Sequence, residues 1–261
     1  MAAGAETLRR QAPAPTLGRR LRALWRIARA IVHLFYGQLL VILFFGPTSD
    51  GASRMRHAQR WSAGFLRLLG VRLEARGAPR PGAKLLVANH VSWLDILAID
   101  AVAPARFVSK AEVRHWPLFG RLAVAVGTLF IERERARDAL RVVHQMAEAM
   151  QAGDTLAVFP EGTTSDGRDL LPFHANLLQA AIATATPVQP VALRFSDPQH
   201  AFSPAVEFVG ATTLGQSVWA IACAQGLCVH LDLLPAQSVA HADRRRLAER
   251  LRAEVAAAIS A

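Results

Sequence analysis

The sequence predicts an α/β protein with a mostly parallel central sheet flanked by helices, preceded by a module of two helices. Two observations predict it. After Gly70, short apolar runs alternate with amphipathic stretches, the texture of parallel strands joined by helical crossovers. Before Gly70 lies one long apolar segment followed by a basic, amphipathic one. A chain of 261 residues is long enough for one sizeable α/β domain and an extra N-terminal element. The divisions fall at 1–20 (a disordered basic arm), 21–70 (the two-helix module) and 71–261 (the α/β domain).

The arm is rich in Ala, Pro and Arg and has no hydrophobic period. Ile27–Phe45, IARAIVHLFYGQLLVILFF, is interrupted only by Arg29, His33 and Gln38. As a helix it is about 28 Å long, close to the hydrocarbon thickness of a bilayer. Arg29 near its start could snorkel, whereas His33 and Gln38 fit a re-entrant or interfacial helix as well as a spanning one. GPTSDG at 46–51 supplies a turn. In Arg54–Leu69, Ala58, Trp61, Phe65 and Leu68 share one helical face while Arg56, Arg60 and Arg67 line another, the pattern of a helix lying in a membrane surface.

In the α/β part the expected strands are Val71–Ala75, Lys84–Ala88, Arg106–Ser109, Thr128–Ile131, Leu156–Phe159, Val188–Leu193 and Val206–Val209. Helices are expected at Arg135–Gln151, Phe173–Thr186 and Asp243–Ile259, the first from the spacing of Leu140, Val143, Ala147 and Met150.

Charge narrows the function classes. The net charge is +10, and residues 1–76 hold 13 of the 30 Lys and Arg but 3 of the 20 Asp and Glu. The excess therefore flanks the most apolar segment, which points to anionic headgroups and makes the two-helix module membrane-binding. No nucleic-acid motif accompanies it. Cys223 and Cys228 are too few for a disulfide framework or a four-ligand zinc site. The histidines other than His90 are scattered singly, which argues against a metal phosphohydrolase.

Four short motifs follow the expected strand ends, where parallel sheets place their chemistry. In Asn89-His90-Val91-Ser92-Trp93-Leu94-Asp95, the histidine leaves a strand and the aspartate enters the next helix. A carboxylate reaching back to one ring nitrogen fixes the tautomer and frees the other as a base for a hydroxyl. By itself the spacing also fits a chance pair in a βα turn. Gly127-Thr128-Leu129-Phe130-Ile131-Glu132-Arg133 delivers a guanidinium that suits a phosphate or carboxylate, or equally a surface ion pair. Phe159-Pro160-Glu161-Gly162-Thr163-Thr164-Ser165 forces an abrupt strand exit that can turn amides and the Glu161 carboxylate into a cleft. Pro187-Val188-Gln189-Pro190-Val191 opens a strand with two prolines and alone says little.

In this order and spacing the four motifs resemble the glycerophospholipid acyltransferase family, specifically its 1-acylglycerol-3-phosphate acyltransferases, over roughly residues 85–195. The resemblance implies that His90 is the general base and Asp95 its orienting partner. It implies that Arg133, Glu161, Gly162 and Thr163 bind and place the acceptor, with Phe130 packing beneath and Lys110 facing it, and that Pro190 shapes the acyl-donor side. Acyl-CoA or acyl-carrier protein is the implied donor, a lysolipid the acceptor, and membrane lipids the surroundings; no metal or cofactor is implied. The Arg-rich, Lys-poor composition (Lys84 and Lys110 alone) fits a bacterial inner-membrane enzyme facing the cytoplasm.

Two departures bear on the acceptor. Thr164 stands where the family usually has Arg, and Phe173-His174-Ala175-Asn176 replaces a common Phe-Lys-x-Gly. Arg133 and Arg168 are the candidates to compensate. The change also resembles the branch that acylates lyso-ornithine lipids, so phosphatidate formation is the first expectation and ornithine-lipid formation the second. A non-catalytic lipid-binding protein is the reading from another class, and it has no need for a base beside a carboxylate.

Overall fold

The computed structural model describes residues 16–46, 49–132 and 136–260. Seven strands form one sheet: β1 (Arg72–Arg76), β2 (Lys84–Ala88), β3 (Arg106–Lys110), β4 (Leu129–Ile131), β5 (Thr155–Val158), β6 (Val188–Ser196) and β7 (Cys228–Leu233), in the order β1-β7-β6-β2-β5-β3-β4. Neighbours are parallel except β6 and β7. The carboxyl ends of β2, β3, β4, β5 and β6 therefore share one edge. β2 lies at the centre and is buried throughout, which is why Lys84–Ala88 reads as an unbroken apolar run after its first residue. Leu86 and Ala88 pack into the core on one face; Leu85 and Val87 pack into the core on the other.

The second face is covered by α5 (Ala136–Gln151), α6 (Leu178–Ala183) and α8 (Arg244–Ser260), through Val142, Met146, Leu178 and Leu251. The first carries α3 (Leu94–Val102), α7 (Leu214–Cys223) and two long N-terminal helices, α1 (Leu17–Phe44) and α2 (Gly51–Leu69), with the short α4 (Phe119–Ala125) beside them. Val206–Val209 forms no strand: Pro204 and Gly210 punctuate it, and Val206 instead plugs the core. The unforeseen strand is β7, although Val229, Leu231 and Leu233 alternate there with His230 and Asp232.

α1 begins ten residues before the apolar run and takes in residues 17–20 of the expected arm; Leu and Arg are good helix formers and extend it. Two of its polar interruptions, His33 and Gln38, face the protein, while Arg29 stands outward over the Trp25 ring. His33 and Trp61 exchange bonds, His33 Nε2 with the Trp61 carbonyl at 2.9 Å and Trp61 Nε1 donating to the His33 carbonyl at 3.0 Å, while Gln38 donates to the Leu118 carbonyl at 2.9 Å. Gly37 permits the approach, since a Cβ there would lie 2.6 Å from Trp61 Nε1. Arg26 donates to the Ala222 and Ala224 carbonyls at 2.9 and 2.7 Å, capping the end of α7 and fastening α1 to the sheet layer.

The two helices divide their apolar surface differently from the expectation. The α2 face of Ala58, Trp61 and Phe65 is buried, packed inward rather than offered outward. The exposed apolar surface belongs to α1, where Leu21, Trp25, Val32, Phe35, Leu39 and Ile42 stand outward.

Candidate active site

β2 ends at Ala88, and Asn89 then turns its amide onto the neighbouring strand. Its Nδ2 donates to the Leu193 carbonyl at 2.9 Å and its Oδ1 accepts the Leu193 amide at 2.8 Å. This fully buried clamp fixes where the chain leaves the sheet. His90 follows, its Nδ1 2.7 Å from Asp95 Oδ2. The same oxygen accepts the Val91 and Ser92 amides at 2.7 and 2.9 Å. Asp95 is wholly buried in the first turn of α3, where the free amides of a helix start favour a carboxylate. With Nδ1 engaged by a carboxylate, Nε2 is the ring nitrogen left to act. The imidazole is partly exposed and lies flat on Phe159 at 4.0 Å, and Phe159 stacks in turn on Phe107 at 6.0 Å.

Glu161, on the β5 exit next to β2, is 3% exposed. Its Oε1 accepts the His90 amide at 2.7 Å and its Oε2 the Leu171 amide at 3.0 Å. Burial raises its pKa, against the pull of those two amides. The carboxylate thus meets backbone on both oxygens, because amides at a strand exit need acceptors. Gly162 provides the sharp exit with φ +75, and Thr163 beyond it is exposed. The Thr163 and Thr164 amides take no hydrogen-bond acceptor among the described residues. Ser165 N returns to the His90 carbonyl at 2.8 Å, which keeps this turn beside the base.

The remaining expected residues divide. Lys110 ends β3 and is exposed, with no carboxylate in ion-pair reach among the described residues. Phe130 sits on β4 beneath the Arg114 guanidinium, 5.9 Å from its ring centre. Arg114 escaped the sequence reading because it lies in a short 3₁₀ turn outside the motifs. Arg133 lies outside the described residues. Arg168 pairs with Asp166 and Glu207, each at 3.0 Å. The Thr164 hydroxyl donates to the Phe208 carbonyl.

Pro190 does not reach the site. It is buried inside β6, in register with Val87, because its carbonyl has a task in the sheet: it accepts the Leu234 amide at 3.0 Å. Proline has no N–H to return to Leu234, and Gln189 Nε2 supplies that bond instead at 3.0 Å.

An apolar cleft of about 140 Å³ opens between the N-terminal helices and the sheet. Gly37 and Leu40 of α1, Trp61 of α2, Trp93 before α3, Phe107 of β3 and Phe119 of α4 line it. One charged group intrudes: Asp100, 6% exposed, accepts the Ala105 amide at 3.1 Å, and burial pushes its pKa up to about 7.

A base oriented by a buried carboxylate, beside exposed turn amides and an apolar cleft, defines an enzyme that moves an acyl group onto a hydroxyl. Comparison with known proteins agrees. The family model described as Acyltransferase matches residues 72–194. The 1-acyl-sn-glycerol-3-phosphate acyltransferase of Neisseria meningitidis is 37% identical over 213 residues, 78% of this chain and 82% of that protein. The lyso-ornithine lipid O-acyltransferase of Pseudomonas aeruginosa is 37% identical over 201 residues, 75% of this chain and 76% of that protein. The crystal structure of the LPA acyltransferase PlsC from Thermotoga maritima shares the fold, with a TM-score of 0.72 over 92% of this chain and 94% of that one at 21% identity. The chain belongs to the acyltransferase family that includes the 1-acyl-sn-glycerol-3-phosphate acyltransferases.

Proposed function

We propose that the enzyme transfers a fatty acyl group from a thioester, acyl-CoA or acyl-carrier protein, to the free hydroxyl of 1-acylglycerol-3-phosphate. The observation that carries this is the His90–Asp95 pair at 2.7 Å with Nε2 left free. His90 Nε2 takes the hydroxyl proton as the oxygen attacks the thioester carbonyl. The Thr163 and Thr164 amides receive the oxyanion. The C–S bond then breaks, and the imidazolium returns its proton to the departing thiolate. Lys110 and Arg114 at the same sheet edge meet the acceptor phosphate, and the apolar cleft holds an acyl chain.

The outward face of α1 supports attachment to one leaflet, with α1 lying in the interface instead of crossing the bilayer, since its other face is docked on the protein. The lysolipid then arrives from that leaflet and the donor from water, as at the cytoplasmic face of a bacterial inner membrane.

A second acceptor is favoured by one specific observation. Thr164 offers no cation and Arg168 is neutralised, which suits the zwitterionic headgroup of a lyso-ornithine lipid. The purified chain in detergent, given both donors, is offered both acceptors in parallel with His90→Ala as the blank. Phosphatidate formed only by the unmutated enzyme is the expected product. Ornithine lipid alone would replace the first acceptor by the second, and no His90-dependent product from either would overturn both.

A further inference from the structure

The sheet edge opposite His90 carries a second cavity of about 780 Å³ at the amino ends of β2, β3 and β5. Lys84 and Thr155 begin β2 and β5 in its wall, Arg80 precedes β2, Arg106 begins β3, and Arg54 comes from the first turn of α2. By strand rise it lies about 20 Å from His90. Nothing in the acyl-transfer chemistry uses it.

Its charge is unbalanced. Arg106 is answered by Asp154 at 2.6 Å. Asp50, at the start of α2, spends its carboxylate on the Ala52 and Ser53 amides and on Arg56. Lys84, Arg80 and Arg54 meet no carboxylate within ion-pair reach among the described residues. Lys84 is the telling one, because it is 7% exposed and its ammonium has only neutral acceptors, the Gly82 carbonyl at 3.1 Å and Thr155 Oγ1 at 2.9 Å. Burial, reinforced by Arg80, lowers its pKa. Arg54 Nε is buried without a partner. Arg80 donates to the Pro81 and Ala83 carbonyls, which holds its guanidinium over the same rim.

A buried ammonium and an orphaned guanidinium N–H each carry a desolvation cost that a bound anion removes. Three cations from two chain segments, each with N–H groups to spare, suit a ligand with several oxygens pointing in different directions. We propose that Lys84, Arg80 and Arg54 form a second anion site that takes a phosphoryl group, from a lipid headgroup or from free phosphate. Arg54 belongs to the helix module and Lys84 to the sheet, so the anion bridges the two and stiffens their contact.

The test is thermal unfolding of the full chain in neutral detergent while inorganic phosphate replaces chloride at constant ionic strength. It is repeated without phosphate in nanodiscs of phosphatidylcholine alone or with added phosphatidylglycerol. Phosphate should raise the midpoint. Arg80→Gln, a solvent-facing change that does not endanger folding, and Lys84→Met should each weaken the apparent phosphate affinity about tenfold, as expected for one charge-assisted contact. Arg250→Gln, on the exposed face of α8, should leave it unchanged. Protection by phosphatidylglycerol that Arg80→Gln removes assigns the phosphoryl group to a headgroup; protection by inorganic phosphate alone assigns it to a soluble ion. A midpoint indifferent to both, or a response that survives Arg80→Gln and Lys84→Met, overturns the proposal.

Discussion

Glu161 holds the backbone amide of His90 at 2.7 Å from the neighbouring strand exit, so the base is fixed through its main chain as well as its ring. Asp95 sets the imidazole, and Glu161 sets the peptide that carries it. Replacing Glu161 by Gln puts an amide N–H against one of two backbone donors, and Ala leaves both unpaired. Each unpaired buried donor costs about 1–3 kcal/mol. Glu161→Gln should lower the melting temperature and Glu161→Ala should lower it further, with kcat falling more than KM rises. A loss confined to KM would return Glu161 to acceptor binding.

His90→Ala removes the proposed proton acceptor, and its rate should fall by at least about 10²–10⁴-fold, the usual worth of a positioned base. Asp95→Asn keeps the size of the side chain but loses the charge facing His90 Nδ1 and two amides. Turnover should fall to a similar degree, read as initial rates of acyl transfer in detergent. An Asp95→Asn enzyme of near-normal rate would mean that the tautomer is set elsewhere.

Asp100 predicts a pH signature. Its pKa rises on folding, from the ordinary 3.8 to about 7, so the folded state binds the proton more tightly than the unfolded one. The favourable contribution is complete below the unfolded value and is lost as pH rises towards 7. Asp100→Asn can still accept the Ala105 amide. Its melting temperature should therefore gain on the unmutated protein between pH 5 and pH 8, and then level off. A constant difference across that range would show that the carboxyl is not held in its neutral form.

Thr164→Arg restores the cation of the usual motif at a turn already beside His90. The catalytic efficiency for 1-acylglycerol-3-phosphate should rise by about tenfold, the worth of one charge-assisted contact. That for a lyso-ornithine acceptor should not. Side-by-side kinetics on the two acceptors check this, and an equal change on both would detach residue 164 from the headgroup.

Much of this was legible in the sequence, for physical reasons that differ by element. Lys84–Ala88 announced itself because a central parallel strand is buried on both faces. His90 and Asp95 were legible because their geometry is local, five residues apart across one turn. The partners of Glu161 were not, since its carboxylate meets an amide 71 residues away and only the strand order brings them together. Arg114 and the neutralisation of Arg168 by Glu207 are likewise matters of tertiary placement. The inward packing of the α2 apolar face was hidden because an amphipathic pattern states that a face is buried, not against what.

Pro190 and Gln189 have a further consequence for how the site is built. β6 is the seam where a parallel sheet meets an antiparallel strand, and a slip of one residue there would turn every side chain of the strand to the wrong layer. Only one alignment sets the donor-less ring of Pro190 opposite Leu234 with the Gln189 amide at hand to fill the gap. Any other places a carbonyl against a ring that cannot answer it. Leu193, three residues on, is thereby delivered to Asn89, and the position of His90 inherits its accuracy from a proline buried inside the sheet.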